Sequence, residues 1–321
     1  MASQFPIGTS KLRDTSAWRR EWPSLVVAAF VYGGYAGVTY FWRELPLVAV
    51  IALLAVLSAW HGSLLHEMIH GHLGNGKLAA VLGWPTMNLW LPFGSYRDSH
   101  LRHHQDEHLT DPYDDPESWY LDQPTWNRRR APLRAVLWVN RTLLGRITVG
   151  TLLGVAAYFQ VTVRLIKAGN RAERRYLLIH LVFVVCTCLW LFAVCGVPVF
   201  AVLAGSCFGG LSLTYLRSFA EHCWSENVAG RTAMVRTGPV LSLLFLNNNL
   251  HLAHHLRPGT PWHRLPSIAR ELDADRQAAA GAGLYRGYRR VVQRYALRPM
   301  CQPVHPPEAG VMRLPRPWSK A

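Results

Sequence analysis

Cysteine pairs, acidic side chains and cofactor fingerprints are what this 321-residue sequence is short of. Its six cysteines form no CxxC, and Cys186, Cys188, Cys195 and Cys207 fall inside long apolar runs. They are expected to pack as small apolar side chains, with neither a disulfide framework nor a zinc knuckle. No haem motif of the cytochrome b5 kind and no flavin or nicotinamide fingerprint is present, so any electrons have to come from a separate protein. The first 22 residues are polar and basic, without an early apolar h-region or a small-residue cleavage site. The first apolar run is therefore expected to stay in place as an anchor.

Asp and Glu number 19 against 34 Lys and Arg, a net charge of +15. The basic residues gather at Lys11 to Arg20, Arg97 to Arg146 and Arg257 to Arg298, between and around four uncharged runs at about 24–42, 45–65, 176–196 and 197–216. Each run is near the ~20 residues that cross a bilayer. Arg43-Glu44 joins the first two, and Gly196-Val197-Pro198 joins the second two, giving two transmembrane hairpins. The positive-inside rule then puts both termini and the middle of the chain in the cytoplasm, and it accounts for the charge without nucleic acid. The expected fold is all-α and integral to the membrane, with a cytoplasmic helical cap. Residues 1–23 form a cytoplasmic segment, 24–302 the membrane domain, and 303–321 a Pro-rich, disordered tail.

The apolar stretch 143–165 is interrupted by Arg146 and Arg164 and reads as a helix lying in the membrane interface. Residues 78–93 are too short and too broken by proline to span. The stretch 285–298 reads as a basic amphipathic helix against lipid or the cap. Arg128, Arg129 and Arg130 could meet the phosphates of acyl-CoA or phospholipid heads, or simply mark topology.

What the sequence has in abundance is patterned histidine. HEMIHGH, residues 66–72, contains the HExxH of zinc peptidases, in which Glu67 would be the base. HxxHH occurs twice, as His100, His103, His104 and as His251, His254, His255. Residues three and four apart share a helix face, so each triplet can aim three imidazoles at one point, and His66 with His70 can do the same. All three clusters fall where the chain leaves the membrane on its basic side. A catalytic zinc takes three protein ligands and a structural zinc four, whereas these clusters offer eight imidazoles. A pair of metal ions fits that number, and imidazole suits iron, copper, nickel or zinc. His222, shortly after the fourth run, is counted with them as a ninth ligand. His61, His72, His108, His180, His263 and His305 lie off these faces and are expected to be packing or loop residues.

Three boxes in the order HxxxH, HxxHH, HxxHH around two hairpins resemble the membrane fatty-acid desaturase family, the histidine-box di-iron superfamily that includes the carotene ketolases and hydroxylases. HEMIHG at 66–71, YRDSHLRHHQDEHLTDPYDDPES at 96–118, RSFAEH at 217–222 and NNNLHLAHHLRPGTPWHRLP at 247–266 carry the resemblance. It implies that His66, His70, His100, His103, His104, His222, His251, His254 and His255 hold two irons, with O2 as co-substrate and a lipid or acyl chain as substrate. It also implies an external donor such as a ferredoxin or rubredoxin with its reductase.

Fatty-acyl desaturation is the reaction expected first. Carotenoid ketolation or hydroxylation and terminal-alkene-forming decarboxylation are the alternatives within the superfamily, and a membrane HExxH zinc peptidase is the alternative outside it. By resemblance Asn249 could support a metal-bound water, although helix capping is the other use for one of three consecutive asparagines. Glu67 is a candidate to fix a ligand imidazole. Asp111, with Asp114, Asp115 and Glu117, could orient ligand histidines or form a solvated acidic loop.

Overall fold

The computed structural model describes residues 16–73, 76–105 and 108–306. The expected terminal segments before residue 16 and beyond residue 306 lie outside them. The fold is mostly helical. Its framework is α1 (Ser16–Tyr40), α2 (Leu47–Ile69), α3 (Phe93–His103), a short α4 (Leu143–Ile147), α5 (Val149–Lys167), α6 (Arg171–Val194) and α7 (Val199–Ser218). After these come β1 (Met234–Arg236), α8 (His251–Leu256), β2 (Leu284–Arg286) and α9 (Tyr288–Tyr295). The two three-residue strands pair in parallel.

Four helices among the described residues, α2, α5, α6 and α7, are long and apolar enough to cross a membrane. This set differs from the expected one at two places. Arg146 falls in α4, ahead of α5, so α5 has no charge before Arg164 and qualifies by composition. In α1 the uncharged part is diluted by Gly33, Gly34 and Gly37 and by Tyr32, Tyr35 and Tyr40, and α1 is not among the four.

Side-chain contacts sort the helix ends. At one end of the bundle, Trp190 Nε1 donates to Thr39 Oγ1 at 3.0 Å, while Trp42 Nε1 and Arg43 Nη1 donate to the Cys195 carbonyl at 2.9 and 3.0 Å. These bonds gather the ends of α1 and α6 with the start of α2. At the other end, Trp262 Nε1 donates to Ser24 Oγ near the start of α1. There Tyr176 OH in α6 donates to Asp98 Oδ2 in α3. Both ends of α5 belong to this second group. Thr151 and Ser212 hydroxyls are 3.2 Å apart, and Thr162 donates to Glu173 Oε1, which also accepts from Ser95 Oγ.

α2 and α7 pack closely because glycine lets them. A Cβ at Gly205 would stand 2.7 Å from the Ile51 carbonyl oxygen, and one at Gly210 would stand 2.6 Å from Ser58 Cβ. Small residues of this kind let membrane helices approach backbone to backbone. The contact lies where α7 carries a π-helical segment, Leu203–Gly209.

The segments that follow α7 pack together as a cap at the second end. Tyr288, Val291 and Tyr295 of α9 are buried against Phe219, Phe245 and Tyr285, so this amphipathic helix faces the cap. Residues 303–306, expected to begin the disordered tail, are instead held in place. Leu121 N–H donates to the Pro303 carbonyl, and His305 N–H donates to that of Leu121. A second correction concerns cysteine, since Cys223 and Cys301 are joined by a disulfide. Their 78-residue separation carries no motif, and only cap packing brings them together.

Candidate metal centre

The HxxxH box sits at the last turn of α2, and the chain is made to stop there. Gly71 has φ +86°, Gly71 N–H donates to Met68 O, and His72 N–H reaches back to Glu67 O. This is the Schellman arrangement, in which glycine takes the left-handed position and closes the helix. The glycine directly after the box thus ends α2 with His66 and His70 at its tip. His100 and His103 occupy the last turn of α3 with His104 as its cap residue, while His251, His254 and His255 lie on the short α8.

All nine candidate histidines meet, in two groups. His66, His70, His100, His104 and His254 form one, and His103, His222, His251 and His255 the other, with ligand-competent atoms within 4.8 Å of one another in each. Both HxxHH triplets are therefore split, each giving residues to both groups. In the first group Nε2 atoms are 3.1 Å apart for His70–His100, 3.1 Å for His100–His104 and 3.0 Å for His104–His254. In the second they are 3.1 Å for His103–His222, 3.0 Å for His222–His251 and 3.1 Å for His251–His255. Five imidazoles in one group and four in the other could hold two metal ions, and imidazole suits iron, copper, nickel or zinc.

The outward nitrogens are fixed by a surrounding layer. His100 Nδ1 lies 2.9 Å from Glu117 Oε1, and His103 Nδ1 lies 2.9 Å from Asp115 Oδ1. His251 Nδ1 is 3.0 Å from Asn248 Oδ1 and 3.5 Å from Glu221, which is itself paired with Arg217. His222 Nδ1 meets Thr232 Oγ1 at 3.3 Å. An Nδ1–H given to an outer acceptor leaves Nε2 as the inward lone pair.

Burial enforces the same protonation state. It holds His70 down to about 2, with His100 as the next cause. It also places His104, His222, His251, His254 and His255 well below the ordinary range, helped by neighbouring imidazoles. These histidines are neutral, the ligand form. His103 is the exception: burial pulls it down, but Asp115 and Glu117 outweigh that and lift it to about 9.

Not every candidate lands where the sequence pointed. Asn249 Nδ2 donates to the Val235 carbonyl and clamps β1, while its neighbour Asn248 faces the histidines, with Nδ2 3.3 Å from His66 Nε2. Glu67 Oε2 accepts the Trp262 N–H at 3.0 Å, and its other oxygen stands 3.9 Å from His66 Nδ1. Asp111 Oδ1 accepts the N–H groups of Tyr113 and Asp114 and shapes the loop, and in the same run Asp115 and Glu117 reach His103 and His100. Glu221, Asn248 and Thr232 were not singled out at all. The remaining described histidines join neither group, and His61 instead meets the Tyr32 hydroxyl at 3.1 Å.

Beside the histidines lies a cavity of about 640 Å³, bounded at this end by Glu117, Glu221 and His222 and continuing between α2, α3, α5 and α7. A helical bundle with membrane-length helices, two all-imidazole clusters and an adjoining cavity has the form of a membrane oxidoreductase. The chain belongs to the fatty acid desaturase family, whose model matches residues 43–288. No curated protein shows significant similarity to it.

Proposed function

We propose that this chain is an O2-dependent di-iron oxidase that introduces a double bond into an acyl chain. The observation that carries the reading is the division of nine histidines into groups of five and four beside one cavity. A peptidase using HEMIH alone would leave seven of the nine without a purpose, and Glu67 is engaged by Trp262 rather than free as a base.

In this reading the first group holds one iron and the second the other. When bound, the irons supply the reduction of O2 and the removal of hydrogen from an unactivated C–H bond. Overall, –CH2–CH2– with O2, two electrons and two protons gives –CH=CH– and two waters, with the electrons delivered by a separate donor protein. The chain's own residues do the rest. Asp115, Glu117, Asn248 and Thr232 hold the imidazoles in the inward-facing tautomer, and the cavity walls keep water from the reacting carbons. Arg217 balances the charge of Glu221 behind His251.

For topology, α1, α2, α6 and α7 cross the bilayer, because each links the two opposite ends of the bundle. α5 lies along the interface, since both of its ends are tied to the histidine side. The positive-inside rule makes that side cytoplasmic.

Metal analysis of the purified protein, with lipid profiling of a host that expresses it, tests the reading. About two irons per chain and new unsaturated acyl chains are expected. A single zinc per chain would overturn it.

A further inference from the structure

The cavity is less apolar than a hydrocarbon tunnel needs to be. Its wall includes Arg141 and Arg146, only 7% and 4% exposed. A buried guanidinium is normally matched by a carboxylate. Among the described residues neither arginine has one. Arg146 uses Nε alone, donating to the backbone and side-chain oxygens of Asn140 at 3.1 and 3.0 Å. Its two terminal nitrogens have no hydrogen-bond partner among the described residues. Arg141 donates through Nη2 to the carbonyls of Trp119, at 2.9 Å, and Pro303. Aromatic rings support both, with the Arg146 guanidinium carbon 4.1 Å from the Trp119 ring centre and that of Arg141 4.2 Å from Tyr120. Stacking orients a guanidinium fork without neutralising it.

The pair lines the same cavity as Glu117 and His222. Trp119 follows Glu117, the partner of His100, by two residues, a reach of at most about 7 Å. The Tyr120 hydroxyl accepts the N–H of Trp224, and Trp224 follows His222 by two residues.

The geometry points to Arg141 and Arg146 as a binding site for an anionic head group, so that the substrate is a compact amphiphile whose acid enters the cavity. This rests on the oxidase reading for the word substrate and on the cavity alone for the binding. Its consequence is that the oxidised carbons lie near the acid. A long lipid anchored by its head at the membrane surface does not meet that condition, and neither does an uncharged carotenoid.

The test is equilibrium binding to the purified full chain in neutral nanodiscs, read by tryptophan fluorescence, with octanoate, octyl phosphate and octanol as probes. The wild-type protein should bind at least one of the two anions tenfold or more tightly than octanol, and the tighter anion identifies the carboxylate or phosphate head. Arg146→Gln should lose tenfold or more for that anion with octanol unchanged, and Arg146→Lys should fall between. Equal binding of anions and octanol by the wild type would overturn the proposal, a comparison that needs no variant to fold. Because no turnover is read, failure here leaves the oxidase reading intact, while an iron-free protein that prefers the anion would fail only that reading.

Discussion

Asp115 Oδ1 stands 2.9 Å from His103 Nδ1, and the same carboxylate accepts the N–H groups of Thr110 and Glu117. Three fixed donors leave it no freedom to turn, so it dictates which nitrogen of His103 carries the proton. Asp115→Asn would present an amide that can donate to Nδ1, stabilising the tautomer with Nε2–H, which cannot bind a metal. Iron affinity of the second group should fall about 10- to 100-fold, as expected for loss of a ligand's outer partner. Chelator competition on the purified variant measures this, and unchanged retention would show that Asp115 serves only the loop.

The two histidine groups should empty separately. His70→Ala removes an imidazole from the first group and His255→Ala one from the second. Each is expected to reduce bound iron from about two to about one per chain, and both together to abolish binding. Activity should be lost in either single variant, because the proposed reaction needs both ions. Loss of all metal from one substitution would mean a shared cluster instead.

Adjacent asparagines should behave differently. Asn248 touches His66 and His251, whereas Asn249 ties to Val235 through both its side chain and its carbonyl. Asn248→Ala is expected to lower activity tenfold or more with little loss of thermal stability. Asn249→Ala leaves a buried carbonyl unpaired, at a cost of about 1–3 kcal/mol, and should appear first as a lower melting temperature. Thermal melts and turnover of the two variants decide, and the reverse pattern would sink the assignment.

The contrast shows where the sequence was legible. The eight box histidines could be found because helical spacing alone puts His100, His103 and His104 on one face, and likewise the others. The division of each triplet between two groups could not, since it depends on how α3 and α8 oppose each other. Asn248 was hidden because the turn before α8 passes through positive φ at Leu246 and Asn247, which shifts the face presented by the three asparagines. Asp115 and Glu117 were weighed but not separable from Asp111, because a loop has no period to read. Residues 143–165 were read as one stretch because the glycines around the break at Thr148, Gly145 and Gly150, lie inside α4 and α5 and do not mark it.

Helix packing supplies a stability prediction. Gly205 faces the Ile51 carbonyl across a gap that leaves no room for a side chain. Gly205→Val should force α7 away from α2 and destabilise the protein by about 1–3 kcal/mol, the usual cost of overpacking. Gly71→Ala acts differently, straining the turn that closes α2 without meeting any neighbour. Its effect should fall on iron retention, through the position of His70. Melting temperature and iron content of the two variants separate these mechanisms, and a Gly205→Val protein as stable as the wild type would contradict the close packing.

The Cys223–Cys301 pair offers a reading of membrane orientation independent of charge. Cys223 directly follows His222, so its compartment is that of the histidine groups. Cytoplasmic thiols are kept reduced, and disulfides persist in oxidising compartments. If the positive-inside assignment is right, cells quenched in acid and alkylated before any reduction should yield both cysteines as modified thiols, with the bond forming only during aerobic purification. Mass spectrometry of the two peptides reads this directly. Recovery of the intact disulfide from quenched cells would place the histidines on the oxidising face, which would invert the proposed topology and require the electron donor to work from that side.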